Sequence, residues 1–189
     1  KAKHVLVLAD ACFAGSFYLK RGENDAPTKR NNKKSRWVMA SGRLETVADK
    51  MVGQDNSPFA YYLINYLKNA KKDVSISDLK DYLEIEVPKV PSHQPVRGVS
   101  PLNKNESIYK DTKAVVVGIS DYKHINDLNF ADDDAIAFAN YLVNHPDIDS
   151  SKVELILDSL ATSIKIKTSI FTTLSEAKPN EQVIIYFAG

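Results

Sequence analysis

Apolar positions along the chain follow two different periods. Residues 5–8 (Val-Leu-Val-Leu) are an unbroken apolar run behind a polar lead-in. The run is too short for a typical helix and rich in the residues of a strand buried on both faces. Residues 3–9 are therefore predicted as a strand. Residues 36–41, 113–119, 153–157 and 182–187 read the same way. Between these runs the spacing changes. Phe59, Tyr62, Leu63, Tyr66 and Leu67 recur at helical intervals, and Ser57 and Pro58 suit the cap and first position of a helix over 58–67. Ile76, Leu79, Leu83 and Val87 predict a second helix over 75–87. Ile136, Phe138, Ala139 and Leu142 predict one over 131–143, and Ile166, Ile170 and Leu174 one over 164–174. Pro88, Pro91 and Pro95 then suit extended pieces, with one edge strand near 94–98. Residues 17–34 read as a mobile loop with a basic cluster at 29–34, and residues 100–112 as a polar linker.

Strands alternating with helices of about ten residues imply right-handed βαβ units. The expected fold is α/β: a three-layer αβα sandwich with a mostly parallel central sheet of about six strands and helices on both faces. No internal repeat or low-complexity tract interrupts it.

Composition narrows the function. The chain has 189 residues, room for one domain with a substantial core. Its net charge of +1 gives no global field toward nucleic acid or an anionic membrane. No apolar run approaches a membrane span, and no signal peptide is visible at the start. A single cysteine excludes an internal disulfide and a multi-thiolate zinc site in a monomer, and is compatible with a reducing, cytoplasmic compartment.

That cysteine, Cys12, follows the end of the first strand, two residues after Asp10, with Gly15 and Ser16 breaking the pattern behind it. In open α/β sheets the carboxyl edge is where ligands bind. An inert buried thiol is the competing reading of any lone cysteine. Asp10-Ala-Cys-Phe-Ala-Gly15 resembles the nucleophile motif of caspase-like cysteine peptidases. It is closer to the metacaspase branch, since the animal caspase signature has Gln in place of Asp10 and Arg, Gln or Gly in place of Phe13. The second half is similar as well. Val115-Val-Val-Gly-Ile119 and Leu128 onward (Leu-Asn-Phe-Ala-Asp-Asp-Asp-Ala) resemble the family's opening strand and first helix. Residues 182–189 resemble the strand that runs into the catalytic His-Gly.

Nearly the whole chain thus matches in permuted order: 1–99 resembles the Cys-bearing back half, 100–112 a linker, and 113–189 the front half of a single caspase-like domain. The His-Gly segment is not among the 189 residues. A circular permutant, a span across two units and a chain lacking residues of the whole molecule all account for this. The resemblance implies a cysteine endopeptidase with Cys12 as nucleophile, its own N–H as an oxyanion donor, and self-cleavage in the basic loop. It also implies that Asp10 and Asp134 bind a basic P1 side chain of a protein or peptide substrate. Helix capping and the macrodipole are the competing roles for Asp132, Asp133 and Asp134. None of His4, His93, His124 and His145 has the strand-end context of a Cys–His pair, and His124 is the nearest to it. No cofactor is expected. The aspartate run lacks the alternating spacing of an EF-hand, while the resemblance leaves a calcium requirement open. The oligomeric state is open.

Two alternatives stand beside the peptidase: a catalytically inactive caspase-like interaction domain, and a flavodoxin-like binding domain with a phosphate loop after Val117. A phosphatase loop would need Arg at Tyr18, and no Walker, Gly-x-Gly-x-x-Gly or Gly-x-Ser-x-Gly motif is present.

Overall fold

The computed structural model describes residues 2–11, 35–41, 53–70, 74–89, 97–99, 111–124 and 126–189. Among the described residues, six strands form one sheet. They are β1 (His4–Asp10), β2 (Ser35–Ala40), β3 (Arg97–Val99), β4 (Thr112–Gly118), β5 (Val153–Leu157) and β6 (Gln182–Ala188). Their spatial order is β3-β2-β1-β6-β4-β5. All neighbours run parallel except β3, which pairs antiparallel with β2 at the edge. The strand expected near 94–98 is this β3. Residue 112 differs from expectation: Thr112 is buried and opens β4 rather than closing a linker. Its neighbour Asp111 accepts from Gln182 N–H (3.1 Å), so pairing with β6 starts one residue earlier than the apolar run. Residues 100–110, the rest of the expected linker, lie outside the described residues.

Among the described residues, four α-helices cover both faces: α1 (Pro58–Asn69), α2 (Ile76–Glu86), α3 (Ala131–Val143) and α4 (Ser163–Glu176). Ser57 caps α1 by accepting from Ala60 N–H (3.0 Å). Ser75 caps α2 in the same way, and Thr162 caps α4. Period-2 alternation in the strands sorts the core into two layers. On one face Leu6, Leu8, Trp37, Met39, Val116, Ile184 and Tyr186 pack against Phe59, Leu63, Leu79, Leu83, Phe138 and Leu142 from α1, α2 and α3. On the other, Val115, Val117 and Ile156 meet Ile166 and Ile170 of α4. Among the described residues, no helix is long and apolar enough to cross a membrane.

The carboxyl ends of β1, β2, β4 and β6 share one edge of the sheet. Asp10 lies beside Ala188, Ala188 beside Gly118, and Ser41 follows Ala40 next to β1 with its N–H on Ala9 C=O (2.9 Å). One of these positions, Gly118, is small because a helix lies on it. A Cβ on Gly118 would stand 2.5 Å from Ala135 Cβ and 2.8 Å from Ala131 O. The start of α3 is therefore seated directly on β4, and that seating brings Asp134 over the sheet edge. Gly118→Ala should push α3 outward and destabilise the protein by about 1–3 kcal/mol, the usual range for overpacking. A urea titration checks it; an unchanged midpoint would mean that α3 yields freely.

Candidate functional site

Three distant segments converge at this edge. Asp10 is the last residue of β1, Ser57 caps α1, and Asp134 lies in the first turn of α3. Both carboxylates are buried, Asp10 at 6% exposure and Asp134 at 2%. Ser57 bridges them. Its hydroxyl donates to Asp10 Oδ2. Its backbone N–H points at Asp134, 3.1 Å from Oδ1 and 3.3 Å from Oδ2. Asn56 Nδ2 donates to Asp134 Oδ1 at 2.8 Å. The capping hydroxyl of α1 thus does two tasks at once: it accepts from the helix and donates to a carboxylate.

The competing roles of the aspartate run are now separable. α3 has no side-chain cap. Asp132 exchanges hydrogen bonds with Ser120, whose Oγ accepts from Asp132 N–H (3.0 Å) and donates to Asp132 Oδ1. Asp133 is exposed on the rim, where desolvation and then the charges of Asp132 and Asp55 hold its carboxyl above the ordinary range. Asp134 alone turns inward, away from capping.

Electrostatically the site is a buried acidic pair. Burial first, and the charge of Asp10 second, push Asp134 up to about 8, against the opposing pull of the Asn56 and Ser57 donors. No Lys, Arg or His forms an ion pair with Asp134 among the described residues. Tyr186 lies beneath, fully buried and stacked on Phe138 with ring centroids 4.7 Å apart. Desolvation, then Asp134 and Asp10, raise its phenol well above its ordinary value. Both carboxylates thus lie within electrostatic reach of its hydroxyl. That hydroxyl, like the buried Ser41 Oγ, has no hydrogen-bond partner among the described residues.

Of the sequence-predicted site residues, the structure brings Asp10 and Asp134 together. Cys12, two residues beyond Asp10, lies outside the described residues, as do His93 and the basic cluster at 29–34. His4 opens β1, at the opposite end of the strand from Cys12. His145 follows α3, beside Tyr141. His124 is exposed in the loop after β4. Among the described residues no group of three His, Cys, Asp or Glu side chains is placed to hold a metal ion. Asn56, Tyr186 and the bridging role of Ser57 were not read from sequence. The cap signature at Ser57 was visible; its partner 47 residues away was not.

No family model, no curated protein and no solved structure matches the chain.

Proposed function

We propose that the protein is a cysteine endopeptidase of the caspase-like, metacaspase type, cutting protein or peptide substrates after Arg or Lys. The observation that carries this reading is the buried meeting of Asp10 and Asp134 on one serine. Asp10 comes from the strand that leads into Cys12, so the acidic pocket and the thiol are two residues apart along the chain. A guanidinium or ammonium entering the pocket finds carboxylate oxygens and the open Tyr186 hydroxyl, and desolvated pairs of this type are strong and directional. Rim carboxylates Asp55, Asp132 and Asp133 add a field that favours a cation.

In this reading the Cys12 thiolate attacks the carbonyl that follows the anchored basic residue. Its backbone N–H stabilises the oxyanion, and a histidine takes the thiol proton and returns it to the leaving amine. The resemblance puts that histidine directly after the position of Gly189. Gly189 N–H donates to Asp10 C=O (3.0 Å), so the two segments run side by side at the sheet edge. A reducing, cytoplasmic setting suits such a thiol.

Acyloxymethyl-ketone probes test the proposal. In the purified full-length protein, with its intact mass known, a probe with Arg at P1 should label Cys12. An Asp probe should label at least a hundredfold more slowly, and Cys12→Ala should not label at all. Absence of labelling by every probe would refute catalysis and leave an interaction domain built on the same fold.

A further inference from the structure

We propose a second binding site, at the far end of α1 from the acidic pair: the cavity between α1 and α2 takes a quaternary ammonium group, seated against Tyr66 and Tyr82 with Asp78 as its counter-charge. Tyr66 lies nine residues on from Ser57, about 14 Å along the helix, so the two sites are separate.

The cavity comes from the way the two helices meet. The last turns of α1 and the first turns of α2 enclose a space of about 370 Å³. That volume is at the lower end of the range for small-molecule sites. Asn65, Tyr66 and Asn69 line it from one face of α1. Asp78 and Tyr82, four residues apart, line it from one face of α2, and buried Val74 lies between the helices. The wall is aromatic. The Tyr66 and Tyr82 rings lie with centroids 4.6 Å apart, tilted by 36°. Tyr62 meets Tyr82 edge-on at 6.3 Å, and a side-chain hydrogen bond from Asn65 ties the Tyr82 hydroxyl. Both rings are half-buried against the core, so the wall is held in place before any ligand arrives.

The charge at the cavity is negative. Asp78 is exposed in the first turn of α2 and makes no ion pair among the described residues. Burial first, and the charge of Asp78 second, raise the Tyr66 phenol, so the carboxylate is within electrostatic reach of that ring. The carbonyl end of α1 adds the negative pole of its dipole. Among the described residues no lysine or arginine lines the space. The hydrogen-bonding pattern then selects the kind of cation. A bare ammonium brings three N–H donors that need acceptors. Asn69 Nδ2 already donates to both Asn65 Oδ1 and Asn65 C=O, each at 2.8 Å. What the cavity offers is ring faces and one carboxylate. A methylated nitrogen needs no acceptor and is attracted by both. The competing role of Asp78, complementing the dipole of α2, predicts no ligand.

NMR titration of the full-length protein, with isotope label on the tyrosine rings, decides it. The probes are choline, its uncharged isostere 3,3-dimethylbutanol, and Nα-acetyl-trimethyllysine amide. A trimethylammonium probe should shift the Tyr66 and Tyr82 ring signals with a Kd in the range of about 0.1–1 mM. The isostere should bind at least about tenfold more weakly, because it lacks the charge that the rings and Asp78 attract. Tighter binding of the lysine derivative assigns the group to a protein side chain, and tighter binding of choline assigns it to a free small molecule. Asp78→Asn, an exposed change that leaves the fold intact, should weaken binding about fivefold. Tyr82→Phe keeps the ring and should bind as the parent does, whereas Tyr82→Leu should not bind. Equal affinity for choline and the isostere, or unchanged affinity in Asp78→Asn, would overturn the proposal. So would the absence of saturable shifts at both rings with either cation at tenfold the expected Kd.

Discussion

Asp134→Asn should give a protein that is more stable than the parent at pH 8 and that, on the proposed reading of the site, no longer holds a basic side chain. Asparagine keeps the oxygen that accepts from Asn56 and Ser57 and mimics the protonated acid. The sign of the stability effect follows from linkage. The Asp134 carboxyl sits near 8 in the folded protein, against an ordinary value of 3.8. Between those values the folded state holds a proton that the unfolded chain has released. Parent stability is therefore fully present below about pH 4 and drains as pH rises toward 8, by at most about 1.4 kcal/mol per pH unit. The variant lacks this group, so its profile should be flatter across that window. Thermal unfolding at pH 5 and pH 8 measures both. The cost falls on function: removing a buried charge that meets a ligand charge typically lowers binding by about 2 kcal/mol or more, so kcat/KM for Arg substrates should fall on the order of a hundredfold. A parent protein equally stable at both pH values, beside an indistinguishable variant, would sink this account of the pocket.

Ser57→Ala should be the most destabilising single-hydroxyl deletion in the protein. It removes the cap of α1, worth about 0.5–2 kcal/mol, together with a charge-type hydrogen bond to buried Asp10, worth about 1.5–3 kcal/mol. Ser75 provides the internal control. It caps α2 through contacts of 3.2 and 3.4 Å to backbone N–H groups. Ser75→Ala should lose the cap of α2, about 1 kcal/mol. A larger loss at Ser57 than at Ser75 would report the bond to a buried carboxylate, and Ser57→Thr should recover much of it by restoring the hydroxyl. Equal losses at the two serines would show that Ser57 is a helix cap and nothing more.

Much of this architecture is legible in local sequence because local patterns produce it. Val and Leu runs gave β1 and β4, and the Ser-Pro cap located the start of α1 at Pro58. Thr112 escaped because its burial comes from pairing with β6 rather than from its own polarity. The candidate site divides in the same way. Asp10 and Asp134 could be singled out, since each carries a short motif around it. Their encounter could not, because it depends on Gly118 leaving space for α3 and on a serine that meets Asp134 across 77 positions of chain. Asn56 and the Tyr186 hydroxyl have no local signature at all: one sits in a turn, and the other looks from sequence like one more apolar position in a buried strand.

The strand order also bears on how the chain is made. β1 lies in the middle of the sheet, and its partner on one side is β6, which begins only at Gln182. Ribosomes emit about 5–20 residues per second, so that flank of β1 waits roughly ten to forty seconds for its neighbour. During that interval a Val-Leu-Val-Leu ribbon has one edge open, the kind of edge that recruits other chains. The acidic site, which needs β1, α1 and α3 in place and β6 beneath them, can close only once synthesis has passed β6. Acquisition of the site and the pairing of β1 with β6 are therefore one event, and a nascent chain stopped short of β6 carries the aspartates without the site.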